Sequence, residues 1–184
     1  MRDLSLHILD LAQNSVRANA ALVEIMVSVD ESRLITITIR DDGSGMSDEL
    51  KERVTSPFAT TRTTRKVGLG IPLMMQNARL AGGDVRIDST LGQGTTLTAT
   101  LHGDSIDCLP LGDLAGTVVS LVSANPERPD FRLSCSSPKG SMDFDTRDMR
   151  QALGNVPLNE PEITAWMLSA IQEEIEPIFG GVIL

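Results

Sequence analysis

Apolar residues in the first forty positions recur first at helical and then at alternating spacing. Within residues 4–18, Leu4, Ile8 and Leu11 begin a series at intervals of three or four, which predicts an amphipathic helix. Residues 23–29 and 34–39 instead alternate apolar with polar side chains, and a polar Asp30-Glu31-Ser32 stretch separates them. This pattern predicts a pair of antiparallel strands after the helix.

Glycine-containing loops divide the next sixty residues into short elements. The run Asp41-Asp42-Gly43-Ser44-Gly45-Met46 ends the strand pattern, and Ser47 followed by two acids predicts the cap of a helix that ends near Val54. Residues 55–67 form a predicted loop with three cations and no acid. The elements predicted after it are a helix with Pro72 in its first turn and Gly82-Gly83 at its end, and a hairpin of residues 84–89 and 95–101.

Charge divides the chain near residue 103. The 184 residues carry 16 Lys and Arg against 25 Asp and Glu, a formal net charge of −9. Residues 1–102 hold 11 basic and 12 acidic side chains, whereas residues 103–184 hold 5 and 13. Because the polar stretch 102–107 lies at this division, we predict two domains, residues 1–102 and residues 103–184.

The second region is predicted to be a small, acidic α+β appendage. Short apolar runs predict strands at residues 118–122, 131–136 and 142–144. Residues 146–153 predict a short helix. A last helix is predicted to begin near Pro161 and to be stopped by Pro177.

Composition argues against several classes of function. A pI near 4.6 is not typical of a chain that binds a nucleic-acid backbone, which selects clustered cations. The longest nearly uncharged apolar run, residues 114–124, is shorter than the roughly 20 residues of a membrane-spanning helix. The first residues do not resemble a secretory signal, and Cys108 and Cys135 have neither disulfide-frame nor zinc-site spacing. We therefore expect a cytoplasmic protein that binds neither nucleic acid nor membrane.

Polar residues recur on one face of the first predicted helix. His7, Asp10, Asn14 and Arg17 follow one another at steps of three or four residues and so share an arc of the helix. A carboxylate beside an amide oxygen can hold a hydrated Mg²⁺, and Arg17 can meet a phosphate. The alternative is a solvated helix face. Neither histidine of the chain has a further ligand at metal-binding spacing.

Two glycine motifs have the chemistry of a nucleotide site. In Asp41-x-Gly43-x-Gly45, a carboxylate able to accept the amino proton of adenine precedes two positions where backbone can approach a ligand; the alternative is a tight turn. Gly68-Leu69-Gly70 before a helix offers unpaired backbone N–H groups to phosphate. No P-loop motif occurs, and Leu73 stands where the dinucleotide fingerprint needs its third glycine.

Five motifs resemble, in order, those of the GHKL ATPases, the family of gyrase B, the heat-shock chaperones, histidine kinases and MutL. They are similar to its N box at residues 10–18, its G1 box at 41–46, its F box and lid at 56–62, its G2 box at 68–71, and the turn of its terminal strands at 92–97. The lid and terminal-turn segments resemble those of histidine kinases. The resemblance implies a Bergerat ATP-binding fold, an α+β two-layer sandwich with a mixed sheet, helices on one face and a mobile lid.

The resemblance also implies how ATP and Mg²⁺ are held. Asn14 would ligate Mg²⁺, Asp41 would recognise adenine with support from Thr95, and Arg17 would contact phosphate. Asp10 matches the position of the glutamate that orients water in hydrolysing members, and its shorter side chain leaves roles as base or metal-water ligand open. The further nucleotide-binding residues that it implies are Gly43, Gly45 and Met46, the lid residues Thr60, Thr61, Arg62, Arg65 and Lys66, and then Gly68, Leu69 and Gly70.

The expected function is phosphorylation of a separate protein. The resemblance to sensor kinases implies a phosphoacceptor histidine on a helical segment before the N box, whereas nine residues precede Asp10 and His7 lies within the site helix. We therefore expect a Mg·ATP-binding kinase or regulator whose acceptor is a Ser or His of a partner protein. Two alternatives stay open, a nucleotide-gated binding module without phosphotransfer and a slow ATPase. The oligomeric state is left open by the sequence.

Overall fold

A mixed sheet with helices on one face is the frame of the protein. The computed structural model describes residues 2–55 and 69–180. The strands are β1 (Leu22–Val29), β2 (Leu34–Asp41), β3 (Val85–Thr90), β4 (Gly94–His102), β5 (Asp130–Ser137) and β6 (Gly140–Asp145). The helices are α1 (Leu4–Arg17), α2 (Asp48–Thr55), α3 (Gly70–Leu80), α4 (Leu114–Ala124), α5 (Thr146–Leu153) and α6 (Pro161–Phe179).

The strands lie in the order β3-β4-β2-β1-β5-β6, and every neighbouring pair is antiparallel except the parallel pair β1 and β5. Alternation along each strand places one side against the helices. On β1 the buried residues Val23, Ile25 and Val27 face that core, whereas Glu24 and Met26 between them lie on the open face. The fold is thus an α+β sandwich of two layers, as predicted.

Helix α1 is central to the helical layer, because it contacts α3 on one flank and α4 on the other. Its first N–H groups are satisfied from two sources. The Asp3 side chain accepts from the Leu6 amide at 2.9 Å, and the amides of Leu4 and Ser5 donate to the carbonyls of Pro110 and Leu111 at 2.9 and 2.8 Å. The connection after β4 therefore completes the N-terminus of α1.

Most elements of the first hundred residues are confirmed. Strands β1 and β2 form the predicted antiparallel pair, and Ser47 Oγ accepts from the Leu50 amide at 3.2 Å as the predicted cap of α2. Helix α3 ends in a glycine cap. Gly82 has φ +75°, and the Gly83 amide donates to the Ala78 carbonyl.

One predicted strand is wrong, because residues 118–122 lie within helix α4. The run Val118-Val119-Ser120-Leu121-Val122 is apolar and β-branched, and a short run of this kind does not distinguish a buried strand from a buried helix. The Asp113 side chain caps the helix by accepting from the Gly116 amide at 2.8 Å. The helix packs on both α1 and α6, so it is apolar on most of its circumference.

The predicted stop at Pro177 is also wrong, because α6 continues to Phe179. Proline removes one intrahelical hydrogen bond and crowds the preceding turn, but it stands here in the last turn. Ile175, Ile178 and Phe179 are all buried around it, and this packing holds the final turn in place. The other predicted elements of the second region, two strands and the helix 146–153, are confirmed.

Residues after 103 continue the sheet of the residues before it. Strand β5 pairs in parallel with β1, with Val23 opposite Phe131 and Ile25 opposite Leu133, and all four side chains are buried. The division into domains 1–102 and 103–184 stays a prediction. No helix among residues 2–55 and 69–180 is both long and apolar enough to cross a membrane.

We expect residues 1–102 to be unstable when expressed alone. Truncation removes α4 from α1, exposes the edge of β1 and leaves the Leu4 and Ser5 amides without their carbonyl partners. Each lost bond of this kind costs about 1 kcal/mol, and the exposed apolar surface adds to that cost. Circular dichroism during urea titration should show no cooperative transition for the fragment and one for the full chain. A fragment that unfolds cooperatively with the same midpoint would contradict this expectation.

Candidate functional site

A cavity of about 180 Å³ lies between the helical layer and the ends of β2 and β4. Its polar lining includes Asn14 from α1, Asp41 from β2 and Thr95 from β4. The apolar walls come from Leu11, Ile39, Leu50, Val54, Ile71 and Leu97. A concave site with apolar walls and a few convergent polar groups is typical of a small-molecule site.

Three of the predicted site residues share the polar face of α1. Arg17 Nη1 donates to Asn14 Oδ1 at 2.9 Å, so the amide oxygen faces a cation one turn away. Asp10 lies at the N-terminus of α3, where a Cβ on Gly70 would come within 2.2 Å of Asp10 Oδ2. The absence of a side chain at Gly70 therefore makes room for the carboxylate beside the positive end of that helix.

Asp41 is held by two donors. Its Oδ2 accepts from Ser15 Oγ at 2.6 Å, and its Oδ1 accepts from the Gly43 amide at 2.9 Å. Ser15 is 3% exposed and was not predicted as a site residue, although it stands next to Asn14 inside the N-box motif. The feature of the sequence that could have indicated Ser15 is a hydroxyl residue on the side of α1 that faces the core.

The glycines of the loop after β2 permit close backbone contact. Gly45 has φ +64°, and a Cβ there would lie 2.1 Å from the Thr90 carbonyl oxygen at the end of β3. At Gly43 a Cβ would lie 2.8 Å from the carbonyl oxygen of Ala18. The loop is thus pressed between the end of α1 and the β3–β4 turn, and Met46, which follows it, also lines the cavity.

Ser89 joins this loop to β4 and was also missed by the sequence analysis. Its hydroxyl accepts from the Met46 amide at 2.8 Å, donates to the Gly94 carbonyl at 3.0 Å and lies 2.9 Å from Thr95 Oγ1. Its partner Met46 is 43 residues away in the chain. No local pattern in the sequence indicates such a contact.

His7 connects the site helix to α3. It is 1% exposed, and its Nε2 lies 2.7 Å from Asn77 Nδ2. Burial lowers the pKa of His7 below its ordinary value. Among the described residues, no group of three or more His, Cys, Asp or Glu side chains is arranged to hold a metal ion. His7 is therefore a hydrogen-bonded core histidine.

The lid and part of the G2 box lie outside the described residues. These predicted site residues are Thr60, Thr61, Arg62, Arg65, Lys66 and Gly68. Leu69 lies at the N-terminus of α3 with 61% of its surface exposed, and Gly70 is buried beneath it. The structure thus brings Asn14, Asp41, Gly45, Met46 and Thr95 together around one cavity and describes nothing of the lid.

The sequence model of the histidine kinase-, DNA gyrase B- and HSP90-like ATPases matches residues 2–105, more than half of the chain. This protein belongs to that ATPase family. The match ends close to the last residue of β4, so it covers every element that lines the cavity.

Relatives of this chain include proteins described as histidine kinases. The chain is 33% identical over 88 residues to an uncharacterized sensor-like histidine kinase of Rhizobium meliloti, covering 44% of this chain and 17% of that one. It is 30% identical over 100 residues to the sensor histidine kinase WalK of Bacillus subtilis, covering 50% and 16%. This ATPase-family chain therefore spans about one sixth of the length of these relatives.

A solved structure extends the similarity of fold to the second region. The match to the N-terminal domain of a DNA repair protein covers 98% of this chain and 58% of that protein's chain. The TM-score is 0.50 and the sequence identity is 15%. At this identity the match indicates a shared fold alone.

Replacing Gly45 by alanine should disrupt the site, whereas the same change at Gly92 should not. Both glycines have positive φ, but the space around Gly92 is open to 4 Å. Gly92→Ala should cost about 1 kcal/mol of unfolding free energy from its backbone conformation alone. Gly45→Ala adds the clash with Thr90 and should cost at least twice that in urea denaturation. Equal losses of unfolding free energy in the two variants would show that the loop after β2 and the β3–β4 turn can move apart without cost.

Proposed function

We propose that this protein binds Mg·ATP in the cavity between α1, β2 and β4 and transfers the γ-phosphate to a separate partner protein. The observation that carries the proposal is the convergence of Asn14, Asp41 and Thr95 on one cavity with apolar walls. Membership of the ATPase family supports ATP as the ligand. We place the activity in the cytoplasm, because Cys108 and Cys135 are unpaired thiols that suit a reducing compartment.

The residues present fit an adenine ring. Asp41 offers a carboxylate whose orientation is held by Ser15 and by the Gly43 amide. The apolar walls suit the flat faces of a heteroaromatic ring, and Gly45 leaves backbone where a side chain would otherwise stand. The ring would therefore direct its amino edge at Asp41 and Thr95.

The polar face of α1 fits a metal-bound triphosphate. Mg²⁺ takes oxygen ligands and keeps several waters, so the Asn14 amide oxygen would be its protein ligand. Arg17, which donates to that same oxygen in the structure, would then pair with a phosphate oxygen. Bound Mg²⁺ supplies neutralisation of the charge that develops on the phosphate oxygens.

Asp10 is the candidate base of the transfer. It lies one helical turn before Asn14 and beside the N-terminus of α3. In the proposed reaction the bond from the γ-phosphorus to its bridging oxygen breaks, a bond to a partner hydroxyl or imidazole forms, and ADP leaves. Asp10 would take the proton that the acceptor loses. The lid cations Arg62, Arg65 and Lys66 are proposed to pair with the phosphates.

A nucleotide-gated module is the second candidate, and the packing of α1 favours it. The same helix that carries Asp10, Asn14 and Arg17 contacts α4 and takes carbonyl partners from Pro110 and Leu111. A nucleotide that displaces α1 would therefore act directly on residues 103–184. In this reading the acidic second region reports the bound state to a partner without phosphotransfer.

Asn14→Ala should remove the effect of Mg²⁺ on ATP binding. We expect calorimetry to show that Mg²⁺ tightens ATP binding at least tenfold in the parent chain and by less than twofold in the variant, since one metal ligand is lost. Gln13→Ala is the matched control, because it removes a neighbouring amide that does not line the cavity. If Asn14→Ala and Gln13→Ala respond equally to Mg²⁺, Asn14 is not a ligand.

Labelled ATP separates the candidate functions. The protein is incubated with Mg²⁺ and [γ-³²P]ATP, alone and with proteins that co-purify with it, while α4 and α6 are followed by hydrogen exchange. A kinase should label a co-purified protein, and Asp10→Asn should reduce that label at least a hundredfold. Release of free phosphate by the protein alone would indicate an ATPase. Slower exchange in α4 with neither product would favour the gated module and overturn phosphotransfer.

A further inference from the structure

Ser89 lies behind Thr95 and outside the cavity wall. It is 9% exposed, and its hydroxyl has three neighbours within 3.0 Å, the Met46 amide, the Gly94 carbonyl and the Thr95 hydroxyl. Ser89 and Thr95 are directly opposite each other on β3 and β4, and Thr95 is in turn opposite Asp41 on β2. The three side chains therefore form one row across the sheet, with Asp41 and Thr95 at the cavity.

The direction of each hydrogen bond in this row follows from counting protons. A serine hydroxyl has one proton and two lone pairs. The Gly94 carbonyl can only accept, so the Ser89 hydroxyl donates its hydrogen bond to it. The Met46 amide can only donate, so it occupies one lone pair of the Ser89 oxygen. The assignment that satisfies all three contacts at once has Thr95 donating to the second lone pair at 2.9 Å. Its own proton is used on Ser89, and only its lone pairs are left for the cavity.

Asp41, like Thr95, presents only hydrogen-bond acceptors to the cavity. Its carboxylate oxygens accept hydrogen bonds from the Ser15 hydroxyl and the Gly43 amide. The cavity therefore presents two neighbouring acceptors, Asp41 and Thr95, and the ligand edge that faces them must supply donors. The exocyclic N–H₂ of a 6-aminopurine has two protons, one for each acceptor. A 6-oxopurine has a single donor at this edge, N1–H, and beside it a carbonyl that would meet an acceptor.

We propose that Ser89 is a positioning residue that makes Thr95 an acceptor and thereby selects a 6-amino over a 6-oxo purine. The inference rests on the proposed nucleotide site and adds its specificity. Without Ser89, the Thr95 hydroxyl is free to turn its proton toward the cavity and to donate to a 6-oxo group. Ser89 thus acts through Thr95 and touches no ligand itself.

The test compares ATP with ITP, which differ at C6 and in the proton on N1. Binding of both nucleotides is measured by calorimetry for the parent chain, Ser89→Ala and Ser89→Thr. We expect the parent to prefer ATP, Ser89→Ala to reduce the ratio of the two affinities about tenfold, and Ser89→Thr to keep it, since its hydroxyl is retained. General damage to the site would weaken the binding of both nucleotides together and leave the ratio of their affinities unchanged.

A double variant tests whether Ser89 acts through Thr95. Thr95→Val removes the hydroxyl while keeping the shape, and Ser89→Ala added to it should change the ratio by less than twofold. The inference is overturned if the ratio is unchanged in Ser89→Ala, or if the two substitutions add. A parent chain that binds neither nucleotide overturns the proposed function itself, so the two failures are distinguishable.

Discussion

The close approach of two backbone segments, the loop after β2 and the turn between β3 and β4, is the constraint on which the site depends. A Cβ on Gly45 would lie 2.1 Å from the Thr90 carbonyl oxygen, and a Cβ on Gly94 would lie 2.0 Å from the carbonyl oxygen of Asp41. Only glycine permits both contacts, because a side chain at either position would push the segments apart. This approach brings the Met46 amide to Ser89, and the pairing of β2 with β4 sets Asp41 opposite Thr95. Together these contacts form the polar end of the cavity.

Helix α1 connects this site to the rest of the molecule. One side of it carries the proposed metal and phosphate ligands, another contacts α3 through the hydrogen-bonded pair of His7 and Asn77, and a third packs on α4. Interiors packed in this way do not deform continuously, so a shift of α1 would be transmitted to its neighbours. A kinase that positions a partner and a module that signals its nucleotide state would both use this connection.

The open face of the sheet contrasts with the site. Its charges alternate from strand to strand, as in the row of Arg40, Glu24 and Arg132, where the ion pairs are 3.8 and 3.7 Å long. The Arg40 side chain is 65% exposed and that of Arg132 is 41% exposed, so solvent screens both pairs and each contributes at most about 1 kcal/mol. This face keeps polar side chains in water, while the helical face holds both the core and the chemistry.

Periodicity and glycine caps are local signals, so the elements of the first hundred residues could be predicted from the amino-acid sequence. It also indicated Asn14, Asp41 and Thr95, since their motifs are contiguous and occur in a known order. It misassigned residues 118–122, because an apolar run is compatible with a strand or a helix until its partners are known. The pairing of β5 with β1 and the hydrogen bonds of Ser15 to Asp41 and of Ser89 to the Met46 amide emerge only from the folded chain. Ser15 bonds to a residue 26 positions away, and Ser89 bonds to one 43 positions away. Hydrogen bonds between such distant residues leave no pattern in the sequence.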